Sequence, residues 1–236
     1  MPYITGGVGP DWITYLTAFR DAGADLIEVG LPFSDPTVDG LTIQRASEVA
    51  LARGATPASV LADLCRSRVG LPLIASTYAN IALRPGFAAA LHAARVSGLI
   101  VPDLPLDELA GLSAPGIEVS LLASPATPDE RLAEIGRRSR GFVYAVSVMG
   151  TTGERRRLAP SATALAARAK RVTGLPVLLG FGISTPEQAA EAAAVADGVI
   201  VGAAVMRRIL DGAGPAEVGA FAASLRAVLP GPVAVR

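Results

Sequence analysis

Eight short apolar runs rich in β-forming residues recur along the chain at fairly even spacing. They span residues 2–5, 26–29, 71–75, 98–101, 117–122, 142–146, 176–179 and 198–201. Segments with helical periodicity lie between them, among them 12–22, 43–53, 87–94, 128–137, 162–172 and 186–194. Strands that are apolar along their whole length are typical of a parallel sheet covered on both faces, and eight of them can close without leaving an edge. We therefore expect an α/β fold, a single-domain (β/α)₈ TIM barrel over residues 1–236, with a doubly wound open sheet as the alternative.

Two regions of this pattern depart from a regular repeat. The segment that should supply the fourth helix, residues 106–112, is short and runs into a turn-forming stretch at 113–116, so we expect a truncated helix there. After the last strand, segments 203–210 and 215–229 predict two helices separated by a glycine-rich break.

Composition limits the kinds of molecule that this chain is expected to bind. A formal net charge of zero and a pI near 6.6 do not favour nucleic acid or an anionic membrane surface. No stretch approaches the roughly 20 apolar residues of a membrane span. The chain opens without the basic and apolar pattern of a secretory signal and has one cysteine, Cys65. We expect a cytoplasmic protein that acts on a small molecule or with another protein.

Carboxylates at the carboxyl end of the second strand are the first candidates for chemistry, because barrel enzymes place their active sites at that end. Glu28 lies inside an apolar strand, where it either serves a function or points outward to an arginine. Asp39 in the following loop could be a second proton carrier or could cap the next helix. Asp35 precedes a proline and is as well explained as a turn former.

Glycine-rich loops follow the seventh and eighth strands. Gly180 to Glu187 combines close-approach glycines with a helix start at Ser184 or Thr185, and Gly202 leads directly into another helix at Ala203. These two loops are the usual phosphate cradle of a barrel, where backbone N–H groups bind the anion. We expect a phosphorylated substrate.

The loop after the sixth strand, 147–157, combines small residues, glycines and charge, which suits a mobile lid or a plain solvated connection. The chain has one histidine, His92, and one lysine, Lys170, and both fall in predicted outer helices. We therefore do not expect a Schiff base on a lysine or a metal bound by histidines. Acid–base catalysis by carboxylates is the chemistry that is left.

The string from Glu28 to Pro36, followed by Asp39-Gly40 and Ile43-Gln44, resembles the signature segment of the tryptophan synthase alpha subunit family. Further matching segments lie in order along almost the whole chain, at residues 2–5, 77–80, 101–105, 150–153 and 180–184. The resemblance implies an indole-3-glycerol phosphate lyase of L-tryptophan biosynthesis that yields indole and D-glyceraldehyde 3-phosphate. It also implies no metal or cofactor in this chain, and a pyridoxal phosphate-dependent beta subunit as partner in an α₂β₂ complex.

The resemblance also implies roles for individual residues. The residue matching Glu28 is the general acid and base that protonates indole C3 and later takes the glycerol hydroxyl proton, and that matching Asp39 interacts with the indole N–H. Tyr144 would complete the catalytic group. The substrate-binding set implied by the matching motifs is Tyr3, Tyr78, Thr152, Gly153, Phe181, Gly182, Ser184, Gly202 and Ala203.

Several positions depart from the family pattern. The helix that usually precedes the first strand is missing, Val8-Gly9-Pro10 replaces a usual Asp-Pro, and Leu41 stands where proline is common. Val148 occupies a position that is often arginine. Ala203 stands where serine is frequent, which would cost about 1 kcal/mol of phosphate binding. These departures leave open a catalytically weak barrel acting as an allosteric or structural partner. The same site residues would serve a stand-alone indole-releasing lyase, and the phosphate loops alone would suit a different phosphosugar enzyme such as an isomerase.

Overall fold

A computed structural model describes residues 1–146, 160–180 and 182–231, in which parallel strands alternate with helices. The strands are β1 (Tyr3–Thr5), β2 (Ile27–Gly30), β3 (Leu73–Ser76), β4 (Val96–Ile100), β5 (Glu118–Val119), β6 (Leu121–Ala123), β7 (Val143–Val146), β8 (Val177–Gly180) and β9 (Gly198–Ile200). The helices are α1 (Ile13–Asp21), α2 (Leu41–Ala52), α3 (Pro57–Arg66), α4 (Ala79–Ala82), α5 (Phe87–Ala93), α6 (Asp129–Arg138), α7 (Pro160–Val172), α8 (Pro186–Ala193), α9 (Ala203–Leu210) and α10 (Pro215–Arg226).

The strands close into a barrel. One parallel sheet has the order β1-β2-β3-β4-β5 and the other β6-β7-β8-β9. Only Ser120 separates β5 from β6, and its N–H donates to the Leu99 carbonyl at 3.0 Å, so the two form the fifth strand of the barrel. A parallel bridge between Pro2 and Val201 joins β9 to β1. The (β/α)₈ barrel predicted from the sequence is thereby confirmed, and the open-sheet alternative is wrong.

Successive residues of each strand face opposite sides of the sheet, so the buried side chains form two separate clusters. Residues such as Ile27 and Val29 pack outward under the helices in a large buried cluster. The barrel interior is filled by a smaller cluster of Ile74, Ile100, Phe142, Tyr144, Leu178 and Ile200. Glu28 is in register with Ile74, so its side chain points into the barrel and not toward an arginine on an outer helix.

The structure contains two helices that the sequence pattern did not predict, and it confirms the predicted truncation of the fourth barrel helix. Helix α3 begins with a capping box, in which the N–H groups and hydroxyls of Thr56 and Ser59 bond reciprocally, and has Pro57 in its first turn. Helix α4 is a single turn. The fourth barrel helix is reduced to a 3₁₀ helix, Leu106–Gly111. Helix α10 ends at Arg226, three residues before the predicted boundary.

The histidine and the lysine lie outside the barrel, as predicted. His92 is exposed and its Nε2 lies 2.6 Å from the Pro115 carbonyl oxygen. Lys170 forms an ion pair with Asp197 at 2.7 Å. Within the described ranges, no helix combines the length and apolar character needed to cross a membrane.

Candidate active site

Glu28 is a carboxylic acid buried inside the barrel. Its side chain is 4% exposed, and Oε2 has no hydrogen-bond partner within residues 1–146, 160–180 and 182–231. Burial raises the pKa of Glu28 to about 8, against a smaller lowering effect of the Ser76 side chain. A carboxyl group with such a pKa can give a proton at neutral pH and take one back.

Asp39 faces the same space from the loop after β2. Its Oδ2 accepts a hydrogen bond from the Tyr78 hydroxyl at 2.8 Å, and its carbonyl accepts one from Gln44 Nε2 at 2.7 Å. Burial raises the pKa of Asp39, and the Tyr78 bond partly offsets this. Helix α2 begins after Gly40 without a side-chain cap, so the alternative of Asp39 as a helix cap is wrong.

Two tyrosines complete the polar lining, each lying over a glycine. A Cβ built on Gly30 would collide with the ring and hydroxyl of Tyr3, and one built on Gly180 would lie 2.8 Å from the Tyr144 hydroxyl oxygen. Burial raises the pKa of both tyrosines, and the charges of Glu28 and Asp39 raise it further. Glu28 and Tyr144 point into the barrel interior, and Tyr3 and Asp39 line the pocket at its end.

A small pocket opens at this end of the barrel. Phe33 stacks on Tyr78 with ring centroids 4.6 Å apart, which gives one wall a flat aromatic surface. The pocket is lined by Tyr3, Gly30, Leu31, Phe33, Asp39, Ser47, Ser76, Thr77, Tyr78 and Pro102. An aromatic wall beside a carboxylate suits a planar heterocycle that carries an N–H group.

Ser76, Thr77 and Phe33 line the pocket but are not among the site residues predicted from the sequence. Ser76 and Thr77 directly follow the apolar run 71–75, so the rule that polar residues after a strand line the site would have found them. Thr77 is 2% exposed and its hydroxyl oxygen has no partner in the part of the chain that the structure describes. The sequence does not mark Phe33 as a site residue, because an aromatic residue in a loop is as well suited to packing as to substrate binding.

The two glycine loops lie side by side at the same end, because Gly180 of β8 is in register with Ile200 of β9. Gly182 has a left-handed backbone with φ +83°. The N–H and hydroxyl of Ser184 both donate to Gln188 Oε1, at 2.7 and 3.0 Å. Thr185, rather than Ser184, caps α8.

Helix α9 begins at Ala203 without a side-chain cap from Gly202. Its first-turn N–H groups therefore point out of the helix toward the loop region, where they and the helix dipole favour an anion. A Cβ built on Gly202 would lie 3.6 Å from Tyr3 Cβ, so this helix start borders the aromatic pocket.

Some predicted site residues lie outside the described residues. These are Thr152, Gly153 and Phe181, together with the predicted lid 147–157 and its Val148. Within the described ranges, no group of three or more histidine, cysteine, aspartate or glutamate side chains could hold a metal ion.

Comparison with known proteins gives consistent matches over most of the chain. The family model described as tryptophan synthase alpha chain matches residues 1–225. A tryptophan synthase alpha chain from Gloeobacter violaceus is 46% identical, covering 94% of this chain and 85% of that protein. One from Acidothermus cellulolyticus is also 46% identical, covering 91% and 84%.

Solved structures agree with the sequence matches. A Mycobacterium tuberculosis tryptophan synthase superposes with a TM-score of 0.87 at 39% identity, covering 97% of this chain and 91% of that chain. A mutant tryptophan synthase alpha subunit from Pyrococcus furiosus also gives 0.87, at 35% identity and 96% coverage of both chains.

Proposed function

The chain belongs to the tryptophan synthase alpha chain family, and on that premise we propose that Glu28, Asp39 and Tyr144 form its catalytic group. The family activity is that of a carbon–carbon lyase, which cleaves indole-3-glycerol phosphate into indole and D-glyceraldehyde 3-phosphate in L-tryptophan biosynthesis. Membership sets aside the alternative of a phosphosugar isomerase. We propose the beta subunit of tryptophan synthase as the partner, since the family is that of the alpha chain.

The observation that carries the proposal is the buried carboxyl of Glu28 with a pKa of about 8. The protonated Glu28 gives its proton to indole C3. The ring nitrogen then carries the positive charge, which the Asp39 carboxylate stabilises through the indole N–H. Because the protonated ring accepts the electrons of the breaking bond, the cleavage needs neither a Schiff base nor a metal.

The second half of the reaction restores Glu28. Its carboxylate takes the proton of the hydroxyl on the carbon attached to C3, the carbon–carbon bond breaks, and its electron pair returns to the ring. Indole and an aldehyde result, and Glu28 ends protonated, as it began. Tyr144 and Glu28 both point into the barrel interior, and we assign Tyr144 the task of confining the carboxyl group.

The binding residues divide between the two ends of the substrate. Tyr3 and Tyr78 enclose the indole, with Phe33 stacked on Tyr78. Gly182, Ser184, Gly202 and Ala203 hold the phosphate, with Thr152, Gly153 and Phe181 as further predicted contacts. Because Ser184 already bonds to Gln188, we infer that it shapes its loop while the start of α9 supplies the main anion contacts.

The remaining proposals concern the context of the reaction. We propose that this chain carries no cofactor of its own and that pyridoxal phosphate belongs to the beta subunit of an α₂β₂ complex. Residues 1–236 would form one domain, since β9 near one end pairs with β1 at the other. We place the protein in the cytoplasm, where phosphorylated metabolites are retained.

Indole release from indole-3-glycerol phosphate tests the catalytic assignment. Glu28→Gln should lower kcat at least 100-fold, on the scale of a lost general acid. Glu118→Gln is the matched control, because Glu118 also lies on a barrel strand but is exposed. Full activity of Glu28→Gln would overturn the assignment.

The same assay with a beta subunit separates the remaining alternatives. Stimulation of the wild type by the partner supports the lyase half of a two-subunit enzyme. Equal activity with and without the partner would indicate a stand-alone lyase. An absence of turnover in both conditions would indicate a barrel kept as an allosteric partner.

A further inference from the structure

We propose that Gln188 is a positioning residue for the phosphate site, because its side-chain oxygen holds the loop after β8 in the conformation that presents the Gly182 backbone to the substrate. The inference rests on the proposed phosphate site and extends it to a buried side chain of α8. Gln188 acts through Ser184, to which it is bonded, and does not touch the phosphate itself.

The side chain of Gln188 accepts two hydrogen bonds from one residue of this loop. The Ser184 N–H donates to Gln188 Oε1 at 2.7 Å, and the Ser184 hydroxyl donates to the same oxygen at 3.0 Å. A backbone N–H can only donate, so the oxygen of the amide, and not its nitrogen, has to face the loop. The pair of bonds fixes both the backbone and the side chain of Ser184.

The position of Gln188 in α8 makes this contact more than a helix cap. Thr185 caps the helix by accepting a bond from the Gln188 N–H at 3.3 Å. In a capping box the side chain three residues after the cap bonds back to the N–H of the cap residue, whereas Gln188 reaches one residue further, to Ser184. Gln188 is 5% exposed and shares the buried face of α8 with Ala189 and Ala192. A polar side chain is costly there unless it is hydrogen-bonded, and the two Ser184 bonds offset that cost.

The loop that Gln188 holds is short and contains an accessible glycine backbone. Three residues connect Gly180, the last residue of β8, to Ser184. Gly182 among them is exposed and has φ +83°, and a Cβ built on it would meet no atom of the described residues within 4 Å. Gly180 is in register with Ile200, two residues before Gly202, so the loop lies beside the start of α9. Fixing Ser184 therefore limits the directions in which the Gly182 N–H can point.

Loss of the Gln188 oxygen should weaken binding of the phosphate and not of the indole. Gln188→Met keeps the length of the side chain and removes the acceptor, so Ser184 loses both bonds and the loop is free to change conformation. KM for indole-3-glycerol phosphate and the inhibition constant of inorganic phosphate should each rise by about threefold to tenfold. The dissociation constant of indole, which has no phosphate group, should change less than twofold.

The experiment measures these three constants for the full chain in the wild type, Gln188→Met, Ser184→Ala and Thr185→Ala, with urea unfolding of each. Thr185→Ala is the structural control, because it removes the cap of α8 and leaves both Ser184 bonds. It should lower the urea midpoint without changing the constants. Ser184→Ala removes only the hydroxyl bond, so it should raise the two phosphate-dependent constants less than Gln188→Met does.

A rise in both phosphate-dependent constants of Gln188→Met, with unchanged indole binding and an unaffected Thr185→Ala, supports the proposal. Unchanged constants in Gln188→Met, an equal rise in Thr185→Ala, or an equal loss of indole affinity overturns it. If Gln188→Met does not fold, Ser184→Ala decides by the presence or absence of its smaller rise. Failure of the phosphate site itself is seen separately, because inorganic phosphate would then not inhibit the wild type.

Discussion

At the scale of single residues, the acid that makes this site reactive also weakens the fold. Glu28 has a pKa of about 8 in the folded chain against about 4.5 in the unfolded chain. Between these values the folded state holds a proton that the unfolded state has lost, so the contribution of Glu28 to stability is complete below pH 4.5 and is lost as the pH rises toward 8.

Glu28→Gln should therefore be more stable than the wild type at neutral pH. Glutamine does not titrate, so at pH 7 the variant should gain about 3 kcal/mol in free energy of unfolding, and the gain should shrink toward zero near pH 4.5. Urea unfolding of both proteins at several pH values measures the difference. A difference that does not vary with pH would contradict the assigned burial of the charge, and Glu118→Gln, at an exposed strand position, serves as the reference variant.

The sequence identified the carboxylates but not their surroundings. Glu28 and Asp39 stood out because acids are costly in an apolar strand and common at the active end of a barrel. Whether Glu28 pointed inward depended on the register with Ile74, which a one-dimensional pattern does not contain. The Asp39 to Tyr78 bond joins residues 39 positions apart, so it too required the fold.

At the scale of elements, the regular periodicity of apolar residues was enough to predict most strands and helices of the barrel. Helix α9 matches its predicted range, 203–210, because an apolar stripe and a glycine mark both its face and its start. Helix α3 was missed although Thr56, Pro57 and Ser59 form a strong start signal. The division of the fifth strand at Ser120 could not be foreseen, since it depends on tertiary hydrogen bonds to Leu99 and Arg140.

The start of α9 offers a test of the phosphate site. Ala203→Ser adds a hydroxyl at the first helical position, where it can donate to a phosphate oxygen, and should lower KM for indole-3-glycerol phosphate by about threefold to fivefold. Ala216→Ser makes the same change in the first turn of α10 and should leave KM unaltered. Inhibition by inorganic phosphate gives a second reading of the same site. Equal effects of the two substitutions on KM would argue against phosphate binding at α9.

At the scale of the whole molecule, the catalytic site depends on a barrel that is closed by few hydrogen bonds. The Tyr3 N–H donates to the Val201 carbonyl at 3.0 Å, and the Val201 N–H donates to the Met1 carbonyl at 3.0 Å. Tyr3 belongs to the proposed indole wall, and Gly202 next to Val201 begins the proposed phosphate site. The closure between β9 and β1 therefore also fixes the distance between the two halves of the binding site.

Val201→Pro should open this closure and weaken the site with it. Proline lacks the N–H that bonds to Met1, whereas Val201→Ala retains it and removes only side-chain packing. The proline variant should lose about 2 kcal/mol more in free energy of unfolding than the alanine variant. Its KM should also rise more, because Tyr3 and the start of α9 would no longer be held together. Urea unfolding and indole release measure the two effects, and equal losses in both variants would mean that substrate binding does not depend on this backbone closure.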